Sequence, residues 1–222
     1  MSQTPIHAVI FDLDGTLVDT LQDISIAVNS ALQHLGAPLH EPDTIRGFVG
    51  QGVEQLMASA LPHDRRTDVP QAVTLFRSHY DKHGLGHSKP YPGIMDMLQQ
   101  LVDTTIPLAI LSNKYEPATR QIVSALFPPQ WFADVRGQRP DVPLKPNPTS
   151  ALQICHRLGV HPSNCAMVGD LAADIEVAKS ADMTPIGVAW GFGTVSLLRD
   201  LGAHEIVYSP AELTEVLRRR MA

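Results

Sequence analysis

The chain has 222 residues, 44% of them hydrophobic, which suffices for a sizeable core and suggests one large domain or a domain carrying an insertion. Its 17 basic and 23 acidic residues leave a net charge of -6 with no long basic run, so neither nucleic acid nor an anionic membrane is an expected partner. The start, MSQTPIHAVIFD, lacks a basic segment before a long apolar stretch, and no run of about 18 uncharged apolar residues occurs, so a soluble, unexported, cytoplasmic protein is expected.

The first element is the apolar run at 7–11, followed by D12-L-D14-G-T16. If the strand continues to position 14, Asp12 and Asp14 project from one face, and their repulsion calls for a cation, a shared proton or water. Residues 18 to 88 then read as helices over 21–35, 53–61 and 71–83, with a glycine turn G47-FVGQG52 between the first two. A single crossover does not need that much chain, so 18–88 is expected to form a small α-helical insertion within a body made of 1–17 and 89–222. His79, His83 and His87 are spaced by four, but Gly84 and Gly86 break the helix that would stack them as ligands.

From residue 89 onward apolar runs alternate with helical patterns. Strands are expected at 107–112, 165–169, 184–189 and 205–208, with a further one near 132–136, and helices at 93–103, 116–126, 147–159, 173–181 and 210–220. Such alternation predicts an α/β fold with a doubly wound parallel sheet, whose ligands bind beyond the carboxyl ends of the strands. Cys155 and Cys165 fall in apolar surroundings and read as reduced core residues.

Side chains at or just after the strand ends are few: Asp12, Asp14 and Thr16; Ser112, Asn113 and Lys114; Asp170 and Asp174. Lys145 lies in the proline-bounded P143-LKPNP148. Carboxylates gathered with water favour a hard cation such as Mg2+, which leaves room for phosphate oxygens. A hydroxyl, an amide and an ammonium group around the same point suit a phosphoryl group, whose transition state spreads charge over three oxygens. One carboxylate can attack phosphorus while a second carries the proton.

In this order and spacing, D12-L-D14-G-T16, S112-N-K114, K145-P and G169-D-x3-D174 resemble the four motifs of the haloacid-dehalogenase-like phosphohydrolases. R46-G-F-V-G-Q-G52, the S-N-K triplet and W190-G-F-G193 look like the phosphoglycolate phosphatase group. The resemblance implies a Rossmann-like core with a helical cap domain at 18–88. It also implies Mg2+ as cofactor and hydrolysis of a small phosphorylated metabolite, with 2-phosphoglycolate leading, by a monomer or homodimer.

By the same resemblance Asp12 would be the nucleophile, Asp14 the acid and base, Ser112 a phosphoryl ligand and Lys145 the neutralising cation. Asp12, Asp14 (through its carbonyl), Asp170 and Asp174 would form the metal site. Thr16, Arg46, Gly50, Asn113 and Lys114 would face substrate, with Arg46 beside the glycine turn binding a second anionic group. Leu171 stands where the family usually has a small hydroxyl residue, and Gln51 where the group often has asparagine. The alternatives within this chemistry are a pyrophosphatase and a phosphosugar mutase; outside it, a receiver-like phospho-acceptor module.

Overall fold

The computed structural model describes residues 4–221. Its main sheet has six parallel strands: β1 (Ala8–Phe11), β4 (Leu108–Tyr115), β5 (Asp134–Gln138), β6 (Cys165–Gly169), β7 (Thr184–Val188) and β8 (Glu205–Val207). They lie in the order β5-β4-β1-β6-β7-β8, which places β1 between the two strands that carry the other motifs. All four side chains of β1 are buried, as its uninterrupted apolar run requires of a central strand covered on both faces. Register brings Phe11 level with Ile110 of β4 and Val168 of β6, so the residues that follow each strand emerge at one edge. The crevice lies where the chain order reverses, the expected ligand position in an open α/β sheet.

Between β1 and β4 the chain makes α1 (Leu21–His34), α2 (Pro42–Arg46), α3 (Gly52–Ala60) and α4 (Val69–His83). Leu21, Ile24, Ala27, Val28, Ala31 and Leu32 recur at helical spacing on α1, and this stripe is buried, largely against α4. Two short strands that the sequence does not announce, β2 (Val18–Asp19) and β3 (Lys89–Pro90), pair antiparallel where the helical segment leaves and rejoins the body. Asp23, buried in the first turn of α1, accepts the N–H groups of His87 and Ser88 and the Ser88 hydroxyl (2.6–3.1 Å), tying the returning chain to the start of α1.

The remaining helices are α5 (Ile94–Val102), α6 (Glu116–Leu126), α7 (Thr149–Leu158), α8 (Ala172–Ser180), α9 (Val195–Asp200) and α10 (Pro210–Met221). They match the expected ones within two residues, except α9, where no helix was expected. β4 runs three residues past Ser112, to Tyr115, and the strand expected near 132–136 begins at Asp134. Cys155 and Cys165 are buried and unbridged, their sulfurs 3.1 Å apart. Among the described residues no helix is long and apolar enough to cross a membrane.

Candidate active site

The strand does not continue to Asp14. β1 ends at Phe11, and residues 13–18 fold into a tight turn in which the N–H groups of Leu17 and Val18 both reach the Leu13 carbonyl. Gly15 stands at φ +90°, a conformation glycine adopts without steric cost. The expectation that Asp12 and Asp14 lie together as neighbours on one strand face is therefore corrected. Their side chains take different partners, and the crowding around Asp12 comes from β6 and α8.

Asp12, Asp170 and Asp174 form the carboxylate cluster, each offering an oxygen within 4.8 Å of the others, all buried. Lys145 Nζ bridges two of them, donating to Asp12 Oδ1 at 2.6 Å and Asp174 Oδ1 at 2.7 Å, and also to the Leu111 carbonyl at 2.9 Å. One ammonium group thus pairs directly with two of the three acids. Burial, together with the charges of Asp174 and Asp170, drives the Asp12 carboxyl well above the usual carboxylate range although Lys145 opposes it. Burial alone would lower the Lys145 pKa, but its two carboxylates more than reverse that and raise it. Asp170, pressed by burial and by Asp174, is pushed up to about 7 despite the Phe192 N–H and the Thr16 hydroxyl on its oxygens.

Asp170 is held in a fitted cradle. Thr16 Oγ1 donates to Oδ1 at 2.8 Å and the Phe192 N–H to Oδ2 at 2.7 Å. A Cβ added at Gly15 or Gly191 would come within 2.4 Å of Asp170 Oδ2, so both positions need glycine for the backbone to approach. Thr16, expected to face substrate, positions this carboxylate instead. Trp190 braces the same turn by donating its indole N–H to the Thr16 carbonyl at 3.0 Å. The roles of Gly15, Gly191 and Phe192 were not assigned from sequence; the glycines of D-G-T and W-G-F-G were the available signal.

Asp14 faces another way. Lys114 Nζ (2.9 Å) and Thr20 Oγ1 (2.7 Å) both bind its Oδ1. Thr20 occupies the N-cap position of α1 yet gives its hydroxyl to Asp14 rather than to the helix. Lys114 also lies 4.5 Å above the centre of the Tyr80 ring, a cation–π contact from α4. Asp14 and Tyr80 together raise the Lys114 pKa above the ordinary lysine value, against the effect of burial. Asn113, expected to bind substrate, spends its amide on protein. Nδ2 reaches the carbonyls of Gly50 and Lys145, and Oδ1 accepts the Lys145 N–H at 2.8 Å.

A cavity over these groups is lined by Asp12, Asp14, Ser112, Asn113, Lys114, Lys145 and Asp174 from the body, and by Gly50 and apolar side chains from the helical segment. Ser112 and Gly50 both line this cavity. Arg46 does not line this cavity: at the end of α2 its side chain is 45% exposed, 3.4 Å from the exposed Asp43 carboxylate. The donor set of the cluster is all oxygen and in excess of its counter-charge, which fits a hard divalent cation of the Mg2+ type. Asp12 and Asp170 would be its principal side-chain ligands. Asp174 is more committed, because Oδ1 takes Lys145 and Oδ2 the Leu171 N–H.

The family model described as haloacid dehalogenase-like hydrolase matches residues 9–188. The chain is 33% identical over 223 residues to the phosphoglycolate phosphatase of Chromobacterium violaceum, covering 98% of this chain and 99% of that one. It is 34% identical to that of Aquifex aeolicus, covering 84% and 86%. Among solved structures, a haloacid dehalogenase-like family hydrolase of Streptococcus pneumoniae superposes with a TM-score of 0.86 at 28% identity, covering 95% of this chain and 98% of that one. With the strand-end motifs in place and these likenesses spanning nearly its whole length, the chain belongs to the haloacid dehalogenase-like hydrolases, in their phosphoglycolate phosphatase group.

Proposed function

We propose that the protein is a Mg2+-dependent phosphomonoester hydrolase that works through an aspartyl-phosphate on Asp12, with the helical segment 18–88 as a cap over the site. The observation that carries this is the meeting of three buried carboxylates with Lys145, of which Asp12, Asp174 and Lys145 line a cavity that Asp14 and Ser112 also line. When bound, the cation would screen the negative charge gathered on the carboxylates and the phosphoryl oxygens. Lys145, locked between Asp12 and Asp174, holds the nucleophile's Oδ1 and supports its ionised form. In the first step a carboxylate oxygen of Asp12 bonds to phosphorus as the bond to the leaving alcohol oxygen breaks, and Asp14 delivers the proton that oxygen needs. In the second step the Asp14 carboxylate takes a proton from water, which attacks the acyl phosphate and frees Asp12 and inorganic phosphate. Both observed contacts of Asp14 fall on Oδ1, so Oδ2 is the oxygen assigned to proton exchange. Ser112 is assigned to hydrogen-bond the transferring group.

The names of the relatives bring 2-phosphoglycolate to this reading as the first small phosphorylated metabolite to assay; a cytoplasmic enzyme acting as a monomer or homodimer is part of the same proposal. Asp12→Asn is expected to abolish Mg2+-dependent phosphate release from p-nitrophenyl phosphate while far-UV circular dichroism stays unchanged. Full activity in that variant would remove Asp12 as nucleophile. A panel of 2-phosphoglycolate, pyrophosphate and hexose phosphates then separates a monoesterase from a pyrophosphatase, and from a mutase that releases little inorganic phosphate.

A further inference from the structure

Lys114 belongs to the body but takes part of its surroundings from the helical segment. Its side chain is 7% exposed, and among the described residues Nζ makes one hydrogen bond, to Asp14 Oδ1 at 2.9 Å. A buried ammonium group has three N–H donors, and a single carboxylate oxygen leaves it short of partners. The Tyr80 ring on α4 supplies the rest, its centre 4.5 Å from Nζ, because the negative face of an aromatic ring attracts a desolvated cation.

Tyr80 is itself held in place. It is buried, stacked on Phe76 with ring centres 5.4 Å apart, and meets the Tyr115 ring edge-on at 6.5 Å. Two further contacts dock α4 on the end of β4: the Arg77 guanidinium lies 5.3 Å from the centre of the Tyr115 ring, and the Tyr115 hydroxyl donates to Asp81 Oδ1. The Tyr80 hydroxyl, by contrast, makes no hydrogen bond among the described residues, and Tyr80 does not line the cavity. What Tyr80 offers Lys114 is the face of its ring.

The consequence falls on Asp14. Lys114 lines the cavity, so a phosphoryl dianion bound there competes with Asp14 for its ammonium group, which rides on a flexible four-carbon stem. The ring, fixed on α4, biases that competition toward Asp14. Without it Nζ can swing to the phosphoryl oxygens, and the Asp14 carboxyl, left with Thr20 alone on Oδ1, can turn about its Cβ–Cγ bond. Proton delivery is sensitive to such misplacement, since a shift of about 1 Å can cost on the order of 10²-fold in rate.

Resting on the phosphomonoesterase reading, we infer that Tyr80 of the helical segment is a positioning residue: its ring holds Lys114 on Asp14 and so keeps the Asp14 carboxyl aimed at the leaving-group oxygen. The test exploits the leaving group. p-Nitrophenolate departs without a proton, whereas an alkyl alcohol needs one. kcat/KM ends at release of the alcohol and is blind to the later attack of water. It is measured with saturating Mg2+ on p-nitrophenyl phosphate and on the alkyl phosphate that the wild type turns over fastest, 2-phosphoglycolate being the first tried. Tyr80→Leu is expected to lose at least about tenfold on the alkyl phosphate, a part of the roughly 10²–10⁴-fold that general acid–base catalysis supplies, and less than about threefold on p-nitrophenyl phosphate. Tyr80→Phe, which keeps the ring, restores both values. Tyr80→pentafluorophenylalanine keeps the ring's outline but reverses its charge distribution, and reproduces the selective loss; it decides the matter if Tyr80→Leu does not fold. Equal losses on the two substrates, no loss, or a wild type inactive on every alkyl phosphate overturns the inference. Asp14→Asn locates the fault: a selective loss there with none at Tyr80 overturns the positioning role alone, and an unselective one removes the acid assignment and the inference with it. A wild type that releases phosphate from neither substrate overturns the hydrolase reading itself.

Discussion

Replacing Lys145 by methionine keeps most of the side-chain volume and removes the one ammonium group that bridges Asp12 and Asp174. Its side chain is 3% exposed, so water cannot substitute for it. Breaking a buried ion pair by deleting one partner costs about 3–5 kcal/mol, because the remaining charges stay desolvated. The acids can escape that cost by binding protons, which makes the loss depend on pH. In the metal-free protein the folded-state pKa of Asp12 is already raised, and losing Lys145 raises it further. A carboxyl with a raised folded pKa contributes stability at low pH that is lost as pH climbs through the folded value. One extra proton retained by the folded variant across three pH units corresponds to about 4 kcal/mol at about 1.4 kcal/mol per unit, in line with the ion-pair figure. Urea unfolding in EDTA should therefore show a small deficit for Lys145→Met at pH 5 and about 3–5 kcal/mol at pH 8. Equal deficits at the two pH values, or none at pH 8, would refute the assignment of Lys145 as the neutraliser of a crowded carboxylate site.

The other predictions follow from the same cluster and from the Asp23 contacts at the base of the helical segment. Mg2+ must displace the proton that Asp170 holds up to about 7, so the thermal stabilisation by a fixed Mg2+ concentration should weaken as pH falls from 8 to 6; a pH-independent shift would place the ion elsewhere. Gly191→Ala drives a methyl group into Asp170 and should abolish that stabilisation and the activity, at a folding cost of about 1–3 kcal/mol; retained Mg2+ response would show that the cradle is soft. Asp23→Ala strips the acceptor from two backbone N–H groups and a buried hydroxyl, and should cost about 2–4 kcal/mol in urea unfolding; a loss below 1 kcal/mol would mean that water replaces it.

Much of this was legible before any coordinates. Five apolar runs became strands of the main sheet, four of them because near-continuous burial leaves a signature no polar face interrupts and the edge strand β8 with only Val207 buried, and the strand-end aspartates followed. The pairing of Asp12 with Asp14 was misread because an apolar run followed by D-L-D also satisfies a strand period, whereas the D-G-T turn ends the strand at Phe11. Two-residue strands such as Val18–Asp19 carry too little pattern to announce themselves. Helix α9 escaped for a similar reason: six residues hold one buried apolar position, Leu198, with only Thr194 as a cap. Contacts between distant segments had no local signal either. Nothing in S-N-K says that the asparagine amide will be spent on Gly50 and Lys145 rather than on a ligand.

The ribbon of β2 and β3 brings the two ends of a 70-residue excursion side by side, with Asp19 opposite Lys89 and the Tyr91 N–H on the Leu17 carbonyl. A segment whose ends already meet makes little demand on what lies between them, since doubling the length of such a loop adds only about 0.6 kcal/mol of closure cost. The ribbon thus fixes both ends of the helical segment on the body, so its length is cheap to change, while Tyr80 on Lys114 and the Gly50 carbonyl on the Asn113 amide tie its interior to the carboxylate site.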